Sequence, residues 1–577
     1  MDQKTLLAIV LSIGIIIGWS WLFPPPPPKK KPIADNTTIQ KEETSSLESK
    51  KEELVAIPVQ TDLPAVQGES ALAKDIVVET DYYRAVIDTR GGVLKSLLLK
   101  NYQHFKSGIS LGRWIPFLES MLGKTTPEFR TEDNLVQMIK ADFVNKVNTL
   151  GVRFDENPSL SKLFFQAIYS SDQDHIQIDS GTSPQTLVLR SPVRDGVEII
   201  KTLQFYASDY SIDYEVSLVN RGDAIHPLKV QHVFGEGRVK EPLRGQGRAH
   251  IGPVYVYNGE LETVDTDDLE LEPGRISQME WLGLEDSFFI SAAAGLSQTN
   301  RGFFEVYPYE GKEGRELKPI FGMSLPPVDL NPGKQIKSSF KLYYGPKVEK
   351  EMMKFGHNLF LSHDLTLEIL AKPLLDILAW IYSYVGNYGV SIIFLTILVR
   401  AVLFPLTYKG SKSMKRMQQL QPKMLKLREK YKDKKEKLNQ EMMGLYKRHK
   451  VNPMGGCFPM LLQLPIFFAL YSALSTAVEL RHEPFVAWIV DLSAPDGLLV
   501  TPILMGISMY MIQKMTPTGM MDPTQAKIMG MLPIVFTFFT FTFPTGLTLY
   551  WVTSNIISFG QQFIINRIKL PDLVEES

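Results

Sequence analysis

Arg400 lies inside the apolar run Ile392-Ile-Phe-Leu-Thr-Ile-Leu-Val-Arg-Ala-Val-Leu-Phe-Pro405. A charge near the middle of a membrane helix costs about 2.5–3.5 kcal/mol on insertion scales, so such a residue normally faces a bundle interior or a wet cavity. Snorkelling competes with this: Leu406 is only about 9 Å further along a helix, within reach of a long side chain. Other polar residues favour the cavity. Thr396 is one turn earlier on the same face, Gln463 interrupts the apolar run 460–470, and Thr548, Ser554, Asn555, Gln561 and Gln562 fall in the last apolar segment. No Asp or Glu occurs in any apolar segment beyond residue 386, so water is the solvent left for the guanidinium. A proton relay would want carboxylates or histidines. An unpaired cation in a wet groove suits transient attraction of an acidic or polar peptide.

Enzyme signatures are missing. The chain has no G-x-x-x-x-G-K-[ST] and no H-E-x-x-H. His226 and His232 read as surface or hydrogen-bonded core residues. Asp265, Asp267 and Asp268 lack the Gly and Glu spacing of a calcium loop. Gly235-x-Gly237 and Gly245-x-Gly247 read as loop glycines. The single cysteine, Cys457, excludes an intrachain disulfide and a Cys-rich zinc site. No cofactor and no catalytic residue is expected.

The elements that would hold Arg400 follow from hydropathy. Five apolar segments, 390–406, 458–478, 498–512, 528–543 and 546–565, predict a five-helix membrane core. Several are only about 16–17 residues, or about 25 Å, so they would thin the bilayer or hide in a bundle. Met505, Met509, Met511 and Met515, then Phe536, Phe538, Phe539, Phe541 and Phe543, load two of them with bundle or lipid contacts, or with a greasy slide for another helix. Residues 364–384 carry helical periodicity broken by Glu368, Lys372 and Asp376, which predicts an interfacial helix.

Net charge is −1 over 577 residues, which argues against DNA binding. Residues 409–450 nevertheless hold 15 Lys and Arg against 4 Asp and Glu. There Met414, Met417, Leu420, Met424, Leu427 and Tyr431, then Leu438, Met442 and Leu445, predict a basic helical hairpin with one apolar seam and a break near Asp433. It is either a solvated positive-inside loop or an adaptable binding arm, attractive to anionic lipid and ribosomal RNA.

The N-terminal half differs. Residues 6–23 predict an uncleaved anchor rather than a cleaved signal peptide, because Pro24 to Pro28 follow and no small-x-small site is present. Residues 24–74 read as a disordered linker. Between 75 and 348, short β-branched and aromatic runs alternate with turns such as Asn220-Arg-Gly-Asp223, which predicts a large antiparallel β-sandwich. A mean hydropathy of −0.05 fits a polar domain joined to an apolar one. The basic loop belongs in the cytoplasm, which puts both termini, with the tail 568–577, inside and residues 24–385 mostly outside.

Seven stretches together resemble one family: Asn387-Tyr-Gly-Val-Ser-Ile-Ile, Arg400, Gln421-Pro-Lys423, Val451-Asn-Pro-Met-Gly-Gly-Cys-Phe-Pro459, Gln463-Leu-Pro-Ile-Phe467, Asp491-Leu-Ser493 and Phe543-Pro-Thr-Gly-Leu547. They are similar to the YidC membrane protein insertases, closely over 360–567 and in layout throughout. The resemblance implies a polytopic α-helical protein: an amino-terminal anchor (1–23), a linker (24–74), a periplasmic β-supersandwich (75–348), an interfacial helix (359–385) and a five-helix core (386–567) with a cytoplasmic hairpin (411–450). It implies a substrate groove at Arg400, Thr396 and Gln463, beside Asn555. Substrate contacts are implied at Phe467, Phe539, Tyr550 and Trp551, although the family commonly has Tyr where Trp551 stands. Nascent membrane proteins, the Sec translocon, the ribosome and anionic lipids are the implied partners, and the bacterial inner membrane the implied site. The rival is an anchored periplasmic carbohydrate-binding or mutarotase-like enzyme, since β-supersandwiches host such activities.

Overall fold

The computed structural model describes residues 57–58, 72–103, 135–140, 148–236, 250–266, 268–271, 274–296, 301–311, 314–363, 367–431, 434–449, 451, 458–515 and 523–568. The expected anchor, nearly all of the linker, Asp433, Cys457 with its flanking motif 452–457, and the tail beyond 568 lie outside the described residues.

Short, alternating strands build the first domain. Its largest sheet runs in the order Glu260–Thr263, Gly252–Tyr257, Met279–Glu285, Phe289–Gly295, Lys334–Pro346, Ser211–Asn220, Val197–Phe205 and Gln185–Arg190, with Ile57–Pro58 beside Lys334–Pro346. Ser211–Asn220 is central, so the expected alternation buries Ile212, Tyr214, Val216 and Leu218. A second sheet orders Gly274–Ser277, Arg301–Gly311, Gly314–Ser324, Val230–Glu236 and Val152–Phe154. A third orders Leu135–Lys140, Val93–Gln103, Tyr83–Asp88, Asp75–Glu79 and His175–Gln177. Pairing is antiparallel except between Asp75–Glu79 and His175–Gln177. The β-sandwich expected from the sequence is thus present, and one continuous apolar core joins its sheets.

The turn before Val93–Gln103 needs its two glycines. Gly91 and Gly92 have φ of +73° and +54°, where Cβ is strained. Their carbonyls and that of Leu150 accept hydrogen bonds from the Lys201 ammonium at 2.8, 2.9 and 2.8 Å. That side chain is buried between sheets, with the Tyr169 ring 4.9 Å away.

Three helices accompany the β-domain: α1 (Pro158–Gln166), α2 (Asp268–Leu271) and α3 (Glu349–Phe355). Seven follow it: α4 (Glu368–Val385), α5 (Tyr388–Lys430), α6 (Lys435–Arg448), α7 (Phe458–Thr476), α8 (Val500–Met515), α9 (Pro523–Phe539) and α10 (Thr545–Arg567). The helix expected over 364–384 runs Glu368–Val385, between Leu367 and Gly386, which both take a left-handed conformation. Asn387 then caps α5, its side chain accepting from Val390 N at 3.0 Å.

The first apolar segment and the first arm of the basic hairpin are one helix. α5 continues through Pro405 and Pro422 for 43 residues, so Arg400 and the first arm of the hairpin lie on one helix. Thr407 Oγ1 donates to Leu403 O and Phe404 O at 3.1 Å, which occupies carbonyls beside Pro405. The hairpin seam forms from Met417, Leu420 and Met424 against Leu445, Tyr446 and Val451. Among the described residues, α5 is long and apolar enough to cross a membrane, and Ile528–Thr542 is a shorter apolar helix.

Candidate functional site

Burial along the helices is uneven, and that sets the site. In α10 every residue from Thr545 to Tyr550 is buried; beyond Tyr550 only Ser554, Asn555 and Ile565 are. In α5 the buried residues crowd from Tyr388 to Thr396. Among the residues of α7 whose burial is described, they lie toward its C-terminal end, at Ala469, Leu470, Ala473, Leu474 and Ser475. The bundle is therefore closed at the end facing the α7–α8 loop and loosens at the level of Arg400.

Arg400 is half-buried there. Its Nε donates to Ser554 Oγ at 3.0 Å, and Nη2 donates to the same oxygen. One neutral hydroxyl thus takes two of five guanidinium N–H groups. The remaining nitrogen, Nη1, is not among the sealed, unpartnered polar atoms. Among the described residues, its partner is a hydroxyl and no carboxylate.

The other expected groove residues do not all meet Arg400. Gln463 Nε2 donates to Tyr550 OH, which links α7 to α10 next to the arginine. Thr396 is fully buried and its hydroxyl donates back to Ile392 O at 2.6 Å, so it closes the packed end rather than lining the opening. Asn555 points to the other side of α10 and donates to Ser508 Oγ on α8 at 3.0 Å. The Trp551 ring packs tilted against Phe467 and edge-on against Phe536, at 4.8 and 5.6 Å between ring centroids. Phe539 is apart from them on α9 and 61% exposed.

Reasoning from residue types missed the pairing. Arg400 and Thr407 on α5 face Ser554 and Gln561 on α10, the second rung being Gln561 Nε2 to Thr407 Oγ1 at 2.9 Å. Thr501 and Ser508 on α8 face Thr548 and Asn555, the rungs measuring 3.1 and 3.0 Å. Each series repeats at seven residues, the spacing of a helix–helix seam. That common interval was the available signal. Further along, Lys415 donates to Ile565 O at 2.9 Å and Asn566 O at 2.7 Å, a basic cap on the C-terminus of α10.

No group of three or more His, Cys, Asp or Glu able to hold a metal occurs among the described residues. Among those residues, the four buried acids of the β-domain are engaged: Glu198 with Arg221 at 2.8 Å, Glu236 with Lys318 at 2.9 Å, Glu285 with Lys347 at 2.8 Å, and Asp88, which accepts from Arg90 N at 2.7 Å.

Residues 380–572 match the family of the 60Kd inner membrane protein, and residues 127–377 match the YidC periplasmic domain. A membrane protein insertase YidC of Geotalea uraniireducens is 35% identical over 585 residues, covering 98% of this chain and 99% of that one. One from Syntrophus aciditrophicus is 35% identical over 595 residues, covering 98% and 100%. A crystal structure of an active YidC insertase with its first transmembrane domain resolved shares 16% identity at a TM-score of 0.36, covering 90% of this chain and 96% of that one. A putative aldose 1-epimerase from Escherichia coli K12 shares 11% identity at a TM-score of 0.26, over 48% of this chain and 100% of the other. With relatives at this identity along nearly its whole length, the chain belongs to the YidC membrane protein insertase family.

Proposed function

We propose that this chain inserts nascent membrane proteins into the bacterial inner membrane, and shelters them while they fold, through a wet groove centred on Arg400. The observation that carries this is the guanidinium itself: it is held by one neutral hydroxyl, with N–H groups left over, at the level where the bundle loosens. Water and the cation offer a substrate's polar tail a milder path than bare hydrocarbon. Acidic residues of the tail are drawn toward Arg400 while the apolar segment leaves along α7 and α9. Burial of apolar surface and the membrane potential supply the energy, with no nucleotide. In this reading the hairpin is cytoplasmic, with both termini, and the excess of eleven positive charges over residues 409–450 engages the ribosome and anionic lipids. Cooperation with the Sec translocon belongs to the same reading. The mutarotase-like alternative is not favoured, because Glu236 and Glu285 are each held by a lysine.

The test is site-specific photo-crosslinking of a stalled nascent membrane protein in inner-membrane vesicles. Crosslinks from its apolar segment to probes at 467 and 539, with crosslinks from its polar tail to 463, are expected. Crosslinks confined to the β-domain would contradict the reading.

A further inference from the structure

The loop 477–499 between α7 and α8 touches both halves of the molecule. On one side it belongs to the β-domain. Val478 is part of that domain's apolar core. The Arg481 guanidinium sits over the Phe289 and Phe288 rings at 5.2 and 5.7 Å. His482 Nε2 lies 2.8 Å from Gln103 O, at the end of Val93–Gln103.

On the other side the same loop holds the starts of three helices. Leu492 O accepts from Gly546 N at 2.8 Å, and Ala494 O accepts from Thr545 N and Oγ1 at 2.8 and 2.7 Å, all in the first turn of α10. The Asp496 carboxylate accepts from Thr501 N and Oγ1 at 2.7 and 2.9 Å, at the start of α8. Asn387 Nδ2 donates to Phe485 O at 3.2 Å, at the start of α5. Gly389 must be glycine here, because a Cβ would fall 2.2 Å from the Phe485 ring. Unpaired N–H groups and the positive dipole end make helix starts seek such acceptors.

Asp491 joins the two sides. Its Oδ2 lies 2.8 Å from His482 Nδ1, and Oδ1 accepts from His482 N, Ser493 N and Ser493 Oγ at 3.1, 2.8 and 2.7 Å. The His482 ring thus bridges the Asp491 carboxylate and the Gln103 carbonyl, one through each nitrogen. Burial raises the Asp491 carboxyl, but the hydrogen bond and charge of His482 and the Ser493 donors outweigh it and hold it below the usual range. The Ser493 bonds fix the backbone between Leu492 and Ala494, the two carbonyls that hold α10.

We propose that the loop 477–499 is the joint through which the β-domain sets the register of α10 against α5, with Asp491 as its positioning residue. The Arg400–Ser554 rung lies further along those two helices and inherits their register. Asp491 touches neither residue and no substrate; it acts through the helix starts. This goes beyond the insertion reading, because it makes the β-domain a mechanical support of the groove whatever passes through it.

Disulfide trapping on the full chain in membrane vesicles tests it without any substrate. With Cys457→Ser as background, Thr407→Cys and Gln561→Cys report the register one rung beyond Arg400. Asp491→Ala is expected to slow closure about five-fold, within the range for residues that couple distant sites. His482→Ala, which cuts the tie to Gln103 but leaves Ser493 in place, is expected to slow it as well. Asp491→Asn, which keeps an acceptor for Ser493, should fall between Asp491→Ala and the parent. A role in folding alone would lower the amount of protease-resistant protein without changing the closure rate of what remains. Closure at the parental rate in that remaining fraction overturns the proposal. If Asp491→Ala does not accumulate, Asp491→Asn and His482→Ala decide by the same criterion.

Discussion

Two cations, one buried and one half-buried, divide the molecule. Lys201, in the β-domain core, gives all three ammonium protons to the carbonyls of Gly91, Gly92 and Leu150. Arg400, in the helix bundle, places two N–H groups on a single hydroxyl and keeps the others. The first is a sealed structural pin that ties a turn and two sheets together. The second is an under-satisfied charge at an opening. Burial of a charge alone therefore says little about function. The count of acceptors around it is what distinguishes the two.

The comparison breaks first at Lys201. Lys201→Met leaves the Gly91 and Gly92 carbonyls without their donor and Leu150 O with the Tyr214 hydroxyl at 3.3 Å; at about 1–3 kcal/mol for each orphaned carbonyl, the β-domain should lose about 2 kcal/mol or more. Thermal unfolding of the full-length protein, followed by protease susceptibility of the β-domain, measures this. An unchanged midpoint would mean the carbonyls find other donors.

Acid should weaken the same sealed core. His232 is buried beside Phe234 and Phe340, and burial, with the nearby Lys201 charge, pushes it from 6.5 down to about 3. It is neutral in the folded chain, so unfolding takes up a proton once the pH is below 6.5. Its contribution is full above pH 6.5 and falls as the pH drops toward 3, by up to about 1.4 kcal/mol per unit. His363, pushed down to about 4, also chiefly by burial, adds in the same direction. His232→Phe should flatten part of the acid limb in a pH series of unfolding midpoints; an identical limb would remove His232 from the account.

Changes at the bundle cation should be mild in stability. Arg400→Ala removes one shared hydrogen-bond partner and should shift the unfolding midpoint by no more than about 1 kcal/mol equivalent. The smallest effect is expected from Ser554→Ala. Interhelical hydrogen bonds in membranes average about 0.6 kcal/mol, and the charge that matters stays in place. Charge-dependent insertion should survive Ser554→Ala; its loss would show that the hydroxyl, not the opening, makes Arg400 useful.

Much of this was legible in the residues, for stated reasons. Ser211–Asn220 alternates because one face meets the core more than the other, and Arg400 stands out because apolar neighbours make any charge conspicuous. Met279–Glu285 and Phe289–Gly295 escaped notice because they lie inside the largest sheet with both faces largely buried, which erases alternation. The union of the first apolar segment with the hairpin was hidden by Pro405, which normally ends a helix but here sits inside one. At the site, the residue types were readable and their partners were not. Whether Thr396 faces the groove or its own backbone, and whether Asn555 meets Arg400 or Ser508, depends on how α5, α8 and α10 rotate against one another. Single-helix periodicity cannot supply that rotation. Only the shared seven-residue interval of the polar rungs carried a trace of it.

The central claim is that Arg400 acts by charge at an opening. Its most direct test is insertion of two matched substrates, with acidic and neutral translocated tails, into vesicles bearing the parent, Arg400→Lys or Arg400→Ala, scored by protease protection. Lys keeps the point charge and loses the planar fork. Arg400→Lys should retain much of the insertion. Arg400→Ala should lose it for the acidic tail and lose far less for the neutral one. Full insertion of both tails by Arg400→Ala would contradict the account.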